Sequence, residues 1–438
     1  MNGTSRPPVF VMNPYYSGLG IARSLRARGV ALIALSSEPD APGAKSRYFD
    51  RVHIVPNGRD EPDALFRRLT EIAREHRVRP VIFPTRDFDI LFLHEYREAL
   101  NPFLSLPQPQ ESSILRMMDK LELARFASGI EIPAPVTVTC VSAEDLERQM
   151  QALRFPVIMK PRFAYQWRRK GQWERVGAQK AIIAETAVEA LSSYRRVADV
   201  TQEVILQEYV PGEDSEIVVC CCYMDKQQEL KGHFTARKLQ QVPALTGTGT
   251  VVEAIDVAPI VPTSVRLLKA FGYSGLAEIE YKHDRRTDTY VLIEINPRHW
   301  DQHELGSLVG VNLSWLAYAD MIGAQLSQCA PNYGVGIRHK WVAEAELAQG
   351  SVRKIWGELQ MPADTAGSFK RRASTIARNV GELNELLSGR KIFGMSSFGD
   401  PLPGILTWLH LGAGGLASLW NLLAGKRRAD GSGYRPAQ

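Results

Sequence analysis

Between Gly275 and Trp300 the chain places three glutamates, an asparagine and an arginine along two short β-runs joined by a charged turn. The first run carries Glu280, and the second ends in Glu294, Asn296 and Arg298. Side chains two apart on a strand share a face, so Glu294, Asn296 and Arg298 start out together. A connection of odd length through Asp284–Asp288 brings Glu280 onto the same face, with Glu278 as a further candidate. Carboxylates that face each other across a hairpin repel unless something neutralises them. A hard divalent cation does so, and Mg²⁺ takes one or two carboxylates and completes its shell with water and phosphates. An arginine two residues on suits an anionic group beside the metal. The pattern predicts a metal–nucleotide site. A solvated hairpin edge is the plainer alternative, and the apolar run Tyr290–Ile295 argues against it.

The rest of the composition sets the frame for that site. A chain of 438 residues predicts two or three domains, and 45% apolar content describes a globular protein. The net charge of +5 is spread along the chain without a basic module interleaved with aromatics, which gives no support to nucleic-acid binding. Cys140, Cys220, Cys221, Cys222 and Cys329 form no CxxC pair, and neighbours on a strand face opposite ways. Packed, reduced thiols are expected, as in cytosol. The N-terminus lacks the long apolar core of a signal peptide, so a cytoplasmic protein is expected.

Apolar strands alternate with helical patterns from Val9 to Pro84, which predicts a mostly parallel, doubly wound sheet. Gly18 and Gly20 read as a strand-to-helix turn, either a bare turn or a phosphate contact. Asn101–Pro109 is rich in proline and marks a boundary. A helix is expected over Glu111–Ser128, a buried strand over Phe155–Lys160, and a helix over Ala187–Val197. Arg86 and Asp87 stand at a strand end, where ligands sit in open α/β sheets. They either hold an acceptor or pair with each other. Residues 401–425 carry no charge and precede Lys426, Arg427 and Arg428. This segment reads as a helix packed on the protein or a partner, as an interfacial membrane helix, or as a span, so membrane association joins the cytoplasmic expectation.

The order of SGLGIARSL, PTRDFD, MMDKLELARFA, FPVIMKP, ILQEYVPGED, GLAEIEYKHD and IEINPRHW resembles the ATP-grasp superfamily, within it the carboxylate–amine ligases related to D-aspartate ligase. The resemblance runs from about Val9 to Gly323. It implies an N-terminal parallel-sheet domain (1–110) and an ATP-grasp domain of two α+β subdomains (111–325, with a lid over about 130–210). A mainly helical extension (326–438) would follow. It implies ATP and Mg²⁺ or Mn²⁺, with small-molecule carboxylate and amine substrates joined through an acyl phosphate. Lys120 and Lys160 match the phosphate lysines, and Glu208, Tyr209 and Val210 the hinge that reads adenine. Glu216 matches the ribose acid. Glu280, Glu294 and Asn296 match the metal ligands, and Arg298 the arginine beside the transferred phosphate. Lys238 beside Arg237, before the turn Leu245–Thr250, is a further anion contact. Arg162–Arg175 departs from the family's glycine-rich lid, and its tryptophans suggest burial against substrate. Carboxyphosphate chemistry and an ATP-binding scaffold without catalysis are the rival readings.

Overall fold

The computed structural model describes residues 6–107, 111–163, 166–167, 172, 175–177, 179–360 and 368–423. Three sheets organise them. The first contains β1 (Val9–Met12), β2 (Leu32–Ser36), β3 (Arg51–Ile54) and β4 (Val81–Phe83), ordered β3-β2-β1-β4 and parallel throughout. Unbroken apolar runs such as VFVM and VIF are buried along their whole length, as expected of parallel strands covered by helices on both faces. Only β3, RVHI at the sheet edge, is largely exposed, and its mixed pattern gave no strand signal.

The second sheet is the lid: β5 (Thr137–Cys140), β6 (Val157–Pro161), β7 (Ile182–Ala184) and β8 (Val204–Glu208), antiparallel in the order β5-β8-β6-β7. Trp167 is fully buried in the lid's own core beside Met159 and Val176. It serves lid packing, which corrects the expectation that it buries against substrate. The other lid tryptophan, Trp173, and Tyr165, Arg168, Arg169 and Lys170 lie outside the described residues.

The third sheet carries the chemistry. Its strands are β9 (Ile217–Met224), β10 (Leu230–Val242), β11 (Thr248–Ala254), β12 (Gly275–Asp284), β13 (Thr289–Asn296), β14 (His339–Val342) and β15 (Arg390–Phe393). They run in the order β13-β12-β9-β10-β11-β14-β15, antiparallel except for the β14–β15 pair. The cysteine run lies on β9, where Cys221 enters one core and Cys220 and Cys222 the opposite one, all as free thiols. β14 and β15 join the extension to this sheet, and the rest of the extension is mainly helical among the described residues.

Two local readings are also corrected. Gly18 and Gly20 lie inside the helix Tyr16–Arg26, where a Cβ would stand 2.5 Å from the Asn13 carbonyl oxygen and 2.7 Å from His303. They are glycines for close packing rather than a phosphate turn. The helix expected over Glu111–Ser128 is two, Glu111–Met118 and Lys120–Gly129, broken at Asp119.

The C-terminal helix Leu402–Leu423 packs on the short 3₁₀ turn Pro42–Lys45 of the first domain. Pro403, Gly404 and Thr407 face inward, and Leu402, Ile405, Trp408 and Leu409 are exposed. Packing on the protein is therefore observed for one face. Among the described residues no helix is long and apolar enough to cross a membrane.

The helix Glu344–Gln360 joins the extension to the first domain, with Tyr16 donating its hydroxyl proton to Glu346 and Tyr15 doing so at 3.4 Å. Burial pushes the Glu346 carboxyl up to about 7. A carboxyl that holds its proton more tightly when folded stabilises the protein below its unfolded pKa, and that stability is lost as pH rises towards 7. Glu346→Gln should therefore raise stability at pH 8 by on the order of 3 kcal/mol and leave it unchanged at pH 4, read from thermal unfolding across pH.

Candidate active site

The site is built on the β12–β13 ladder. Glu280 pairs directly with Glu294, and Glu278 with Asn296, before a bulge shifts the register beyond Glu280. Two carboxylates thus face each other in register, as their spacing predicted. Each is met by a lysine from a different element. Lys120, first residue of its helix, lies 3.1 Å from Glu294, and Lys238 on β10 makes a short ion pair with Glu280. Lys160, at the end of the buried strand β6, donates to Gln207 at 3.1 Å.

These charges set one another's protonation. Burial works against ionisation of Glu294, but Lys120 and Lys160 outweigh it and hold the carboxyl at about 2. Burial and the nearby Lys120 lower Lys160 to about 8, although Glu294 and Glu280 pull upward. Burial would lower Lys238 as well, yet Glu280 and Glu278 raise it above the ordinary lysine value. Among the described residues Glu278 has no such cation in hydrogen-bonding contact. Burial pushes it up to about 7, and it accepts a 3.0 Å hydrogen bond from the Asn296 amide nitrogen. That bond turns the Asn296 carbonyl oxygen towards Arg298, whose Nη2 donates to it at 3.3 Å. Arg298 is held in turn by Asp87 of the first domain, Nε to Oδ1 at 2.7 Å. Asp87 pairs with Arg298 rather than with Arg86, which decides one alternative the sequence left open.

The adenine-hinge and ribose candidates sit further along the same cleft wall. Glu208 at the end of β8 accepts from the Arg154 backbone at 3.0 Å and pairs with its guanidinium. The Tyr209 amide donates to the Pro156 carbonyl at 3.0 Å. Glu216 forms a short ion pair with Arg285 and lies 3.3 Å from His283. Lys282, to which the sequence assigned no role, is buried with its ammonium 4.6 Å from the centre of the Tyr209 ring. It joins the hinge to the strand that carries Glu280. Its signal was a lysine inside an otherwise apolar strand.

Asp119 was also missed. It caps the helix Lys120–Gly129 by accepting from the Leu121 and Glu122 amides. Its other oxygen takes Arg162 from the lid at 2.7 Å, and Arg162 also pairs with Glu203 at 2.9 Å. One carboxylate thereby fixes the start of the Lys120 helix and tethers the lid to the body.

The donor set can be tested against a metal. Among the described residues no group of three or more His, Cys, Asp or Glu side chains converges on a metal position. Glu280, Glu294 and the Asn296 carbonyl oxygen are three hard oxygen donors at adjacent ladder positions, a partial shell of the kind Mg²⁺ uses when phosphates and water supply the rest. The residues fit such an ion.

Residues 119–328 match the family model described as the carbamoyl-phosphate synthase L chain, ATP binding domain. That segment is similar to the ATP-binding domain the family model describes. It is 26% identical over 326 residues to D-aspartate ligase of Enterococcus faecium (strain Aus0004), covering 71% of this chain and 75% of that protein. Among solved structures it is similar to the L-amino acid ligase of Bacillus licheniformis, at 14% identity and TM-score 0.56 over 73% of this chain and 75% of that one. The biotin carboxylase domain of Hydrogenobacter thermophilus 2-oxoglutarate carboxylase, solved with MgADP, superposes with TM-score 0.58 at 18% identity over 73% and 71% of the two chains.

Because Asp119 both caps a helix and anchors the lid, Asp119→Ala should cost roughly 1–3 kcal/mol, the sum of a lost cap and a lost charge-assisted bond. Arg162→Ala, which spares the cap, should cost less in thermal unfolding, and both should make the lid more susceptible to limited proteolysis.

Proposed function

We propose that the protein is an ATP- and magnesium-dependent ligase that joins a carboxylate to an amine through an acyl phosphate. The observation that carries this reading is the pairing of Glu280 with Glu294 in register, each neutralised by its own lysine. Without ligand the lysines serve as counter-ions. A triphosphate entering the cleft draws Lys120, Lys160 and Lys238 onto its oxygens and leaves both carboxylates and the Asn296 oxygen for a divalent cation. Bound there, Mg²⁺ or Mn²⁺ would supply positive charge to the phosphate oxygens.

The protein's own residues do the rest by position and charge. Lys160 and Arg298 stabilise the phosphoryl group as it passes to the substrate carboxylate, a step governed by alignment and electrostatics. Asp87 aims Arg298, and Glu278 aims Asn296. The carbonyls at Glu208 and Tyr209 and the Val210 amide hold the adenine edge, and Glu216 takes the ribose hydroxyls once it releases Arg285. A neutral amine then attacks the acyl carbon. The C–N bond forms, the C–O bond to phosphate breaks, and a proton leaves the nitrogen, giving amide, ADP and phosphate.

Carboxyphosphate chemistry uses the same grasp, but the sequence kinship to D-aspartate ligase favours amide formation. A scaffold that binds nucleotide without turnover has little use for a paired-acid site this closely balanced.

ADP release from ATP and Mg²⁺ should require one acid–amine combination, and Glu294→Gln should reduce it by about 10² or more while circular dichroism stays unchanged. Tight ATP binding with no turnover for any combination would favour the scaffold. The lowered Lys160 adds a pH signature. Its ammonium is present below about 8 and lost above, so kcat/KM should fall on the alkaline side of about 8. Lys160→Arg should move that limb upward, and an unchanged profile would remove Lys160 from the phosphate site.

A further inference from the structure

A second cavity of about 320 Å³ lies outside the carboxyl ends of the first sheet, away from the acid pair. Its walls are the segments that follow β1 (Asn13–Tyr15), β2 (Ser36–Pro42) and β4 (Arg86), and its mouth is capped by His410 of the C-terminal helix. The strand order β3-β2-β1-β4 carries the chain outward from β1 in one direction and returns it on the other side at β4. The crevice at such a reversal is where open α/β sheets bind ligands.

The walls are built in advance. Asp89, fully buried in the helix Asp87–Glu95, accepts from the Thr85 amide at 3.1 Å, the Arg86 amide at 3.0 Å and the Asn13 side chain at 2.7 Å. It thus locks the β1 and β4 loops together. Asn13 adopts φ +55°, a left-handed conformation held in place by that bond. On the other wall the Pro14 carbonyl presses so closely on Gly43 that a Cβ there would stand 1.8 Å from it.

Arg86 is the informative member. Its guanidinium makes no hydrogen bond or ion pair among the described residues and lies 5.5 Å from the Phe88 ring. Burial lowers its pKa, and Asp89, Glu38 and Asp301 only partly offset this at longer range. A half-buried guanidinium with no ion-pair or hydrogen-bond partner among the described residues is open to a ligand, and a bidentate carboxylate is the one its fork best fits. Glu38 and Asp40 line the same cavity at its exposed rim and suit an ammonium group. A half-buried cation and exposed acids lining one crevice suit a zwitterion. The volume matches a small metabolite rather than a nucleotide.

We propose that this cavity binds a free amino acid, with its carboxylate on Arg86, its ammonium towards Glu38 and Asp40, and the C-terminal helix closing over it through His410. Only the role of that amino acid as the amine-supplying substrate rests on the ligase reading; its binding does not. The connection to the chemistry is one residue long, since Asp87 next to Arg86 holds Arg298. Ser17 and Asp301 add a second bridge at 2.7 Å.

The test is calorimetric titration of the full chain, without nucleotide, with the common amino acids in both enantiomers. At least one should bind saturably, and the matching amine that lacks the carboxylate should not. Arg86→Met should weaken binding at least tenfold, with Arg86→Lys intermediate because it keeps the charge and loses the fork. Glu38→Gln, a change at an exposed position, should weaken it severalfold, and so should His410→Ala. Absence of binding to the wild-type chain, or wild-type affinity in Arg86→Met, overturns the proposal. Wild-type affinity in His410→Ala overturns the closure. Binding without ADP release for any substrate pair overturns the ligase reading and leaves this site standing.

Discussion

The structure depends on a balance of buried charge across one β-ladder. Glu280 and Glu294 stand opposite each other at a spacing that brings side chains within roughly 5 Å, where like charges destabilise a sheet. Lys120, Lys160 and Lys238 offset that repulsion, and they come from a helix, the lid and the middle of the large sheet. The acids therefore hold three separate elements in register as counter-ions. Breaking a buried pair by removing one partner is far more costly than its net contribution suggests, because the other charge stays behind. Ligand binding need not create this site. It has only to exchange one set of counter-charges for another.

That exchange explains the perturbed pKa values as a group. Glu294 is held near 2 and Lys160 near 8 by the same proximity, so lysines lower the acid while burial and a neighbouring lysine lower the base. Glu278, one ladder position away and without a cation in hydrogen-bonding contact among the described residues, is pushed to about 7. Three groups on one wall thus titrate in three different ranges, set by which of them has a partner. Glu278 holds the Asn296 amide and Asp87 holds the Arg298 guanidinium, so two acids fix the orientation of the side chains beside the acid pair.

Much of this was legible in the sequence, and for a physical reason. Period-two spacing on a strand fixes which side chains share a face, so Glu294, Asn296 and Arg298 were assigned together from their numbers alone, and only the turn length was needed to add Glu280. Buried parallel strands such as VFVM and VIF announce themselves because both faces are apolar. What escaped was what depends on the partner rather than on the pattern. β3 is an edge strand with no apolar signature. Asp119 looks like one more helix acid until the helix is seen to begin at its cap. Gly18 and Gly20 mimic a phosphate turn, and only the third dimension shows them packed against Asn13 and His303. Lys282 was visible but without a role, because its partner, the Tyr209 ring, is 73 residues away.

The last hundred residues carried no usable motif, yet they complete both the sheet and the first domain. β14 pairs with β11 and so continues the strand system that bears Lys238. Glu344, just after β14, accepts from the Met395 and Ser396 amides at 3.0 and 2.6 Å, which fixes the turn leading to the C-terminal helix. Asp400 at the head of that helix accepts from Ser46 and from the Arg47 amide, tying it to the turn beside the first sheet. These bonds link the seven-stranded sheet, through the extension, to the Ser46–Arg47 turn of the first domain. None of these contacts has a local sequence signature, since each joins a polar group to a backbone amide or hydroxyl supplied by another element. The extension is thus a strap that ties the seven-stranded sheet to the first domain.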